Sequence, residues 1–436
     1  MRRILIRSGI SPLKVVPYEE LMNRIGGNVG NLVYAYGVYR MLATDGDVEL
    51  VSTDYHTRFT ASEIERINES CECFVIPLAD AIRPDYIKQL RSFTQLVKAL
   101  RIPCVVIGMG LRAPYEPGEM RYSFDADVRA FIAAVLEKSS CVGVRGQVTG
   151  DYLKHLGFRE GIDYTVIGCP SLYAFGGDRK GARTQLPSDF GSESKVSFNL
   201  SAGASAAHMD FVLNSAREYS QAIYIPQRSR ELELMLTGNP YRLQAPKGYP
   251  TRISDEFYRS GSCRFFGSAR SWIDFLATRD LSFGTRVHGN IVSVLAGTPA
   301  VFMPFDARTR ELVNYHGFAH LTPKQVAMGG SLSQWLDRID FSTPEKNHPE
   351  NFRRYVDFLN RNGIRHIYDD PEAKSDLDRR IAELELMPPL LPITAAEPEE
   401  IARRLDAHYE SEWNQGLYRD TYEALRRLKW RRKSRK

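Results

Sequence analysis

Short apolar runs alternate with stretches of helical periodicity over the first 175 residues. The apolar runs predict strands at residues 4–7, 48–52, 73–77, 105–108, 141–144 and 164–167. Helical patterns lie between them at residues 31–43, 84–100, 126–138 and 147–156. Strands that alternate with helices build a mostly parallel sheet with helices on both faces. This part of the chain is therefore predicted to form an α/β lobe of Rossmann-like topology.

The alternation stops at residues 175–195, where Gly, Ser, Arg, Asp and Lys replace the apolar pattern. It then resumes, with strands predicted at residues 196–201, 222–226, 263–266, 281–284 and 300–303, and helices at residues 205–220, 271–277, 287–295 and 349–362. We predict an N-terminal lobe at 1–175, a linker at 176–195, a C-terminal lobe at 196–345 and a helical extension at 346–436. Ligands of parallel sheets bind beyond the carboxyl ends of the strands, so the expected site is a cleft between the lobes.

Composition excludes several classes of protein. Of the 436 residues, 43% are hydrophobic and 25% are charged, which is typical of a globular chain. No apolar run approaches the roughly 20 residues of a membrane span, and residues 1–7 resemble a first strand more than a signal peptide. The six cysteines form no C-x-x-C pair. This favours free thiols in a reducing cytoplasm over a disulfide scaffold.

Positive charge is concentrated at the C-terminus. The chain carries a formal charge of +5, but residues 426–436 contain eight basic residues and no acid, so the remainder stands at −3. A slightly acidic body argues against nucleic-acid binding. Residues 425–436 mix bases with leucine and tryptophan, and either contact anionic lipid headgroups or form a solvated terminus. The predicted location is the cytoplasm, with a peripheral contact to the inner face of the membrane in the first case.

An arginine and a histidine stand two residues apart in the segment Gly-Thr-Arg-Val-His-Gly-Asn at residues 284–290. A permanent cation beside a group that titrates near neutrality suits an anionic substrate that undergoes proton transfer. The alternative is a buried salt bridge with a structural histidine. Glycines on both sides open space around Arg286 and His288, which favours the functional interpretation.

Four other segments place glycine or arginine at a strand end or a helix start. Arg145 follows a buried strand and either pairs with an internal carboxylate or binds a phosphate or carboxylate of a substrate. Residues 26–31 lead into a helix and either bind an anion through free N–H groups or form a turn. Gly108 and Gly110 mark a strand end that opens onto the cleft or a tight turn. Residues 306–312 form a positively charged lip of the cleft or begin a helix with solvent-facing ion pairs.

Taken together, these segments resemble the polysaccharide pyruvyltransferases over residues 20–365. The Arg-x-His-Gly block is moderately specific, and the ordered set of elements is more so. The matching elements are, in chain order, Asn28 to Asn31, Gly108 to Gly110, Arg145 to Gly157, Ile167 to Pro170, Ile225 to Gln227, and Gly284 to Asn290 with residues 296–300 and Asp306.

The resemblance implies a two-lobed fold similar to the GT-B glycosyltransferases. It also implies transfer of a pyruvyl group from phosphoenolpyruvate to two hydroxyls of a sugar, without a metal or another cofactor. That sugar would belong to a cell-surface polysaccharide or its lipid-linked precursor. Arg145 and Arg286 would bind phosphoenolpyruvate from opposite lobes, and His288 would move the proton. The residues expected to contact the substrates are Asn28, Gly30, Asn31, Gly108, Gly110, Gln227, Gly289 and Asn290.

The sequence departs from the family pattern at two positions. Asn31 stands where the family usually has Asp, and Cys169 replaces the Asp of a G-D-P element. An amide cannot take a proton from an acceptor hydroxyl, so another base or another acceptor is needed if that carboxylate takes part. Two alternatives stay open: a nucleotide-sugar-dependent glycosyltransferase on the same two-lobed scaffold, and a catalytically silent scaffold in glycan assembly.

Overall fold

The computed structural model describes residues 2–44, 48–55, 58–179, 181–241, 245–369 and 376–414. The predicted membrane contact at residues 425–436 lies outside these ranges. Among the helices of the described residues, none is both long and apolar enough to cross a membrane.

A parallel sheet forms the centre of the N-terminal lobe. Its strands are β1 (Arg2–Arg7), β2 (Val48–Thr53), β3 (Cys73–Pro77) and β4 (Cys104–Ile107), followed by the pair β5 (Val142–Val144) and β6 (Tyr164–Val166). The order is β2-β1-β3-β4, and β5 pairs with β6. Met109 connects the two groups, because its N–H donates to the Gly143 carbonyl and its own carbonyl accepts from the Arg145 N–H, each at 3.0 Å.

A second parallel sheet forms the centre of the C-terminal lobe. Its strands are β7 (Val196–Asn199), β8 (Ile223–Tyr224), β9 (Leu281–Gly284) and β10 (Ala300–Phe302). Their order is β10-β9-β7-β8, so the sheet grows from β7 in both directions. Such a reversal of strand order opens a crevice at the carboxyl ends of the two central strands.

Helices connect the strands in both lobes. Those of the N-terminal lobe are α1 (Tyr18–Leu21), α2 (Gly30–Leu42), α3 (Ala61–Ser70), α4 (Ile87–Ala99), α5 (Asp125–Leu136) and α6 (Gln147–His155). Those that follow β7 are α7 (Ala206–Arg217), α8 (Ser229–Thr237), α9 (Glu256–Arg259), α10 (Ala269–Ala277), α11 (Val287–Leu295), α12 (Ala307–His316), α13 (Pro323–Ala327), α14 (Thr343–Arg361), α15 (Asp376–Ala382) and α16 (Pro398–Asn414). The predicted fold class, two Rossmann-like parallel lobes facing a cleft with a helical extension, is confirmed.

The central strands are apolar and covered on both faces, which explains why the sequence predicts them. Every residue of β3, β4 and β9 is buried. Parallel sheets with helices on both faces require such continuous apolar runs. All six cysteines are buried free thiols, in agreement with the prediction.

Two element predictions differ from the structure, and helices α3 and α8 were not predicted. The strand predicted at residues 263–266 is wrong, because Cys263 makes only an isolated bridge to β8 and Phe265 pairs with Leu390 instead. The helix predicted to begin at residue 349 begins at Thr343, since the proline that follows it supplies a favourable first turn. Helix α3 was not predicted, although the side chains of Thr60 and Glu63 form a capping box at its start.

The chain after β10 ties the two lobes together. Asn362, at the end of α14, accepts hydrogen bonds from the N–H groups of Ser140 and Cys141 in the N-terminal lobe, at 3.0 and 3.3 Å. Further on, Leu390 exchanges two backbone hydrogen bonds with Phe265 of the C-terminal lobe, at 2.8 and 3.1 Å. The predicted extension therefore packs on both lobes, and the residue limits of the four predicted parts stay predictions.

A buried carboxylate also joins the lobes. Glu311, in α12, accepts hydrogen bonds from the N–H and the hydroxyl of Thr149 in α6, both at 2.9 Å. Gly146 precedes α6 and has to be glycine, because a Cβ there would lie 2.5 Å from the Glu311 Cβ. Burial raises the pKa of the Glu311 carboxyl to about 7, against the hydrogen bonds from Thr149 that lower it.

We expect the stability of the protein to reveal this carboxyl through its pH dependence. With its folded pKa raised, Glu311 keeps a proton between about pH 5 and 7 that the unfolded chain releases, so the wild type loses stability as pH rises through that window, by up to about 1.4 kcal/mol per pH unit. Thermal unfolding across pH 5 to 8 measures this. The stability of Glu311→Gln relative to the wild type should increase as pH rises. The exposed control Glu137→Gln should show the same pH dependence of stability as the wild type. Parallel curves for Glu311→Gln and the wild type would contradict the assignment.

Candidate active site

A cavity of about 790 Å³ lies between the lobes, beyond the carboxyl ends of both sheets. Its lining includes seven arginines and three aspartates: Arg7, Arg83, Arg112, Arg145, Arg228, Arg286 and Arg308, with Asp80, Asp85 and Asp306. Positive charge in such excess raises the local concentration of anions. No group of three or more His, Cys, Asp or Glu side chains in the described part of the chain could hold a metal ion.

Arg145 enters the cavity from the N-terminal lobe. It follows β5 and is only 3% exposed. Its Nε and Nη2 atoms are buried and have no hydrogen-bond partner among the described residues. Of the two alternatives drawn from the sequence, this geometry favours the substrate contact over the internal ion pair, because a buried guanidinium with unused donors is costly until an acceptor arrives.

Two glycines shape the wall behind Arg145. A Cβ at Gly110 would lie 2.5 Å from the Arg145 Cδ, so the missing side chain is the space that the arginine stem fills. Gly108 has φ of +69°, and a Cβ there would meet the Tyr34 hydroxyl, which donates to the Ile107 carbonyl at 2.7 Å. Neither glycine lines the cavity. Their location favours a positioning role over the predicted direct contact with substrate.

Arg286 enters from the C-terminal lobe, directly before α11. Its backbone N–H donates to the Asn199 Oδ1 at 2.7 Å, and its Nε donates to the Leu200 carbonyl at 2.7 Å. Its Nη2 lies 3.8 Å from Oε1 of Glu231, a fully buried carboxylate in α8. Burial lowers the pKa of Arg286, but Glu231 more than offsets this and raises it above the ordinary value. The buried salt bridge considered from the sequence is therefore present, in a residue that also lines the cavity.

Glu231 is a residue that the sequence did not point to. Its Oε2 accepts hydrogen bonds from the N–H groups of Gln227 and Arg228, at 2.6 and 2.8 Å, and its Oε1 accepts from the Tyr249 hydroxyl. These contacts fix the carboxylate that holds Arg286. A glutamate in an ordinary amphipathic helix carries no sequence signal of this kind.

His288 lies between the lobes and lines the cavity. Its ring contacts the Tyr34 ring edge-on, with the ring centroids 6.1 Å apart. Gly30 lies beside it, since a Cβ added at Gly30 would be only 2.8 Å from the Cβ of His288. Nε2 has no partner in the described residues. Burial first, and then Arg145, Arg308 and Arg286, lower the pKa of His288 to about 3. Without a ligand, the imidazole is therefore neutral near pH 7, where the sequence suggested a group poised to titrate.

The glycine-rich segment at residues 26–31 contacts the other lobe. Asn28 Oδ1 accepts from the Gly30 N–H at 2.9 Å, and the Asn28 carbonyl accepts from the Asn31 N–H at 3.1 Å. The N–H groups of Gly30 and Asn31 are already used, which favours the turn interpretation over anion binding at these two positions. Asn28 and Asn31 still line the cavity through their side chains, whereas Gly30 makes room for His288.

Three further predicted contacts lie behind the cavity wall. Asn290 is fully buried, where its Nδ2 donates to the Gly284 carbonyl at 3.0 Å and its Oδ1 accepts from Asn199 at 2.8 Å. The Gln227 carbonyl accepts from the Val29 N–H of the N-terminal lobe at 2.8 Å. A Cβ at Gly289 would lie 2.6 Å from the Gln227 Nε2. Asn290, Gln227 and Gly289 therefore hold the motif and the lobes in place.

Arg308 lines the cavity. For residues 306–312 the sequence allowed two interpretations, a positively charged lip of the cleft or the start of a helix with ion pairs. Both features are present. The Nη1 of Arg308 lies 2.7 Å from Oδ2 of Asp80 in the opposite lobe, and its Nη2 lies 3.2 Å from Asp306. Arg112 also pairs with Asp80. Burial raises the pKa of Asp80, but Arg308 and Arg112 bring it below the ordinary value, so the carboxylate stays charged and neutralises part of the arginine excess.

We expect His288 to report the charge of the cavity through its pKa. NMR titration of the ligand-free protein should show an imidazole that stays neutral down to about pH 5, well below the ordinary value of about 6.5. Arg145→Gln removes one of the cations that depress this pKa and should raise it, and inorganic phosphate should do the same. The surface control Arg91→Gln should leave it unchanged. A His288 that titrates near pH 6.5 in the wild type would contradict the described electrostatics.

Several solved structures resemble this chain weakly. A functionally uncharacterised protein of Klebsiella pneumoniae is 13% identical, with a TM-score of 0.38, and covers 73% of this chain and 89% of its own. Anabaena HepE in complex with UDP and glucose is 16% identical, with a TM-score of 0.40, over 83% and 98%. The UDP-GlcNAc 2-epimerase of Methanocaldococcus jannaschii is 10% identical, with a TM-score of 0.39, over 83% and 99%. Likenesses this low carry no argument about this chain.

Comparison of sequences is more informative. A search of curated proteins finds no significant match. The family model for polysaccharide pyruvyl transferase, however, matches residues 28–306, which is more than half of the chain. The matched region runs from Asn28, which lines the cavity, to Asp306, which pairs with Arg308. The chain belongs to the polysaccharide pyruvyl transferase family.

Proposed function

We propose that this protein transfers a pyruvyl group from phosphoenolpyruvate to two hydroxyls of a sugar and releases phosphate. One observation carries the proposal: two arginines, Arg145 and Arg286, reach the same cavity from opposite lobes, with the neutral His288 beside them. Phosphoenolpyruvate carries a phosphate and a carboxylate, so it offers each arginine an anionic partner.

The donor would supply the negative charge that the cavity lacks. Arg145 has two unused buried nitrogens for its oxygens. At the start of α11, the N–H groups of Val287, His288 and Gly289 have no acceptor among the described residues. Free N–H groups at a helix N-terminus bind phosphate. The leaving phosphate would therefore be held by Arg286 and by the backbone N–H of His288, two residues that line the cavity.

The proposed chemistry balances without an added reactant. A proton adds to the methylene carbon, which becomes the methyl group, and the adjacent carbon takes on oxocarbenium character. A sugar hydroxyl attacks that carbon and loses its proton. A second hydroxyl then displaces the phosphate and closes the ketal. The first hydroxyl proton replaces the one added to the methylene carbon, and the second leaves with the phosphate.

His288 is the proposed proton carrier. The anionic charge of the bound donor offsets the arginines that depress the pKa of His288, so donor binding favours the imidazolium, which protonates the methylene carbon. The resulting neutral imidazole then accepts the proton of the attacking hydroxyl. The unpartnered Nε2 is the available atom. This assignment leaves no proton-transfer role for Asn31, whose Nδ2 donates to the Ile25 carbonyl at 2.8 Å.

The proposed acceptor is a sugar of a polysaccharide, as the family description indicates, and the resemblance implies one at the cell surface or its lipid-linked precursor. The cavity is far larger than a three-carbon phosphoester, so room remains for the acceptor. We also propose a cytoplasmic location and a peripheral membrane contact through residues 425–436.

Phosphate release from phosphoenolpyruvate, measured with a panel of glycan acceptors, tests the proposed pyruvyl transfer. Release that requires an acceptor supports it, and a thermal shift with nucleotide sugars but none with phosphoenolpyruvate would favour the glycosyltransferase alternative. Binding of neither would favour the silent scaffold.

Removing either arginine should weaken the binding of phosphoenolpyruvate. Loss of a charge-assisted pair costs about 1.5–3 kcal/mol, which corresponds to roughly 10- to 100-fold in affinity. Calorimetric titration of Arg145→Gln and Arg286→Gln measures this, with Arg91→Gln as the surface control. Because Arg286→Gln leaves Glu231 buried without its cation, the double variant Arg286→Gln/Glu231→Gln is titrated as well. Wild-type affinity in the arginine variants would refute the role of the two residues.

His288→Asn should separate catalysis from binding. The amide keeps a polar side chain of similar size but cannot carry the proton, so kcat should fall by about 10²- to 10⁴-fold. The affinity for phosphoenolpyruvate should stay close to that of the wild type, since the arginines remain. Steady-state kinetics and calorimetry measure the two effects. An unchanged kcat would exclude His288 as the proton carrier.

A further inference from the structure

Arg7 is a second cationic centre of the cavity that the proposed reaction does not use. It ends β1 in the N-terminal lobe and lines the cavity together with Tyr55 and Tyr86. Its guanidinium lies 4.7 Å from the centre of the Tyr55 ring and 5.2 Å from that of Phe93. Nη1 donates to the Pro77 carbonyl at 3.2 Å, and Nη2 donates to the Tyr86 hydroxyl at 2.9 Å. Nε is buried and has no partner among the described residues.

The aspartates of the cavity are committed to other arginines. Asp80 pairs with Arg308 and Arg112, Asp306 pairs with Arg308, and Asp85 lies 2.8 Å from Arg83. Within the described ranges, no carboxylate forms an ion pair with Arg7. A guanidinium is always charged, and two neutral acceptors do not balance that charge. An anionic ligand would supply the counter-charge that the described carboxylates do not provide.

We propose that Arg7 binds an anionic group of the acceptor, so that the acceptor is an acidic sugar. This inference rests on the proposed function, because it takes Arg145 and Arg286 to be occupied by phosphoenolpyruvate. The group is a carboxylate or a phosphate, since a guanidinium binds both through paired N–H donors. The rings of Tyr55 and Tyr86 beside Arg7 supply flat apolar surface, against which the C–H face of a sugar packs.

The test is a calorimetric titration of the full chain in saturating phosphoenolpyruvate, with glucuronate, glucose 6-phosphate and glucose as probes. We expect at least one acidic probe to bind at least about tenfold more tightly than glucose, as a charge-assisted pair provides. Arg7→Gln should remove this advantage and leave the affinity for phosphoenolpyruvate unchanged, which also shows that the variant folds. Arg3→Gln is the matched control, because Arg3 lies on the same face of β1 and pairs with Glu49 at the surface. It should behave as the wild type.

Each outcome decides between the possibilities. Tighter binding of glucuronate identifies a carboxylate, and tighter binding of glucose 6-phosphate identifies a phosphate. The inference is overturned if glucose binds the wild type as tightly as both acidic probes do. It is also overturned if an acidic probe still binds more tightly than glucose in Arg7→Gln. Arg145→Gln separates this inference from the proposed function. In the Arg145→Gln variant, an acidic probe should still bind more tightly than glucose, and adding Arg7→Gln should abolish this difference. If the Arg145→Gln variant shows no such difference, the inference is contradicted even if phosphoenolpyruvate is the donor.

Discussion

Repulsion among buried guanidinium groups is the constraint on which the site depends. Seven arginines and three aspartates line one cavity, and like charges repel strongly at Arg145 and Arg286, which are 3% and 11% exposed. Carboxylates that pair with individual arginines offset this repulsion. Glu231 holds Arg286 from behind, and Asp80 holds Arg308 across the two lobes. Arg145 and Arg7 keep donors that no described residue satisfies, so they are the positions at which an incoming anion gains most.

The same charge sets the chemistry of His288. Burial lowers its pKa most, and Arg145, Arg308 and Arg286 lower it further because protonation would add one more cation to the cavity. An anionic donor would reverse that penalty, so binding of the donor and readiness for proton transfer become one event. This coupling requires the lobes to stay close. Glu311 on Thr149, the Gln227 carbonyl on Val29, and the chain after β10 supply contacts between them.

Sequence reasoning predicted the fold well, because strands covered by helices on both faces require continuous apolar runs, as in β3 and β4. The family resemblance implied that Arg145 and Arg286 face one cleft from opposite lobes, and both line the same cavity. Sequence reasoning could not find Glu231 or Glu311, whose roles arise from burial against a distant lobe. Arg7 could have been found, because it ends a predicted strand. Gly30, Gly110 and Gly289 were assigned to the substrate, whereas each leaves room for the side chain of His288, Arg145 or Gln227.

The central claim is that two arginines from opposite lobes hold one small donor with two anionic groups, a phosphate and a carboxylate. A crystal structure of the protein with phosphoenolpyruvate tests it most directly. The account predicts a donor in the inter-lobe cavity, with Nε and Nη2 of Arg145 and the guanidinium of Arg286 bound to its phosphate and carboxylate oxygens, and with Nε2 of His288 facing the reacting carbons. Phosphoenolpyruvate bound through only one lobe, or bound outside this cavity, would contradict it.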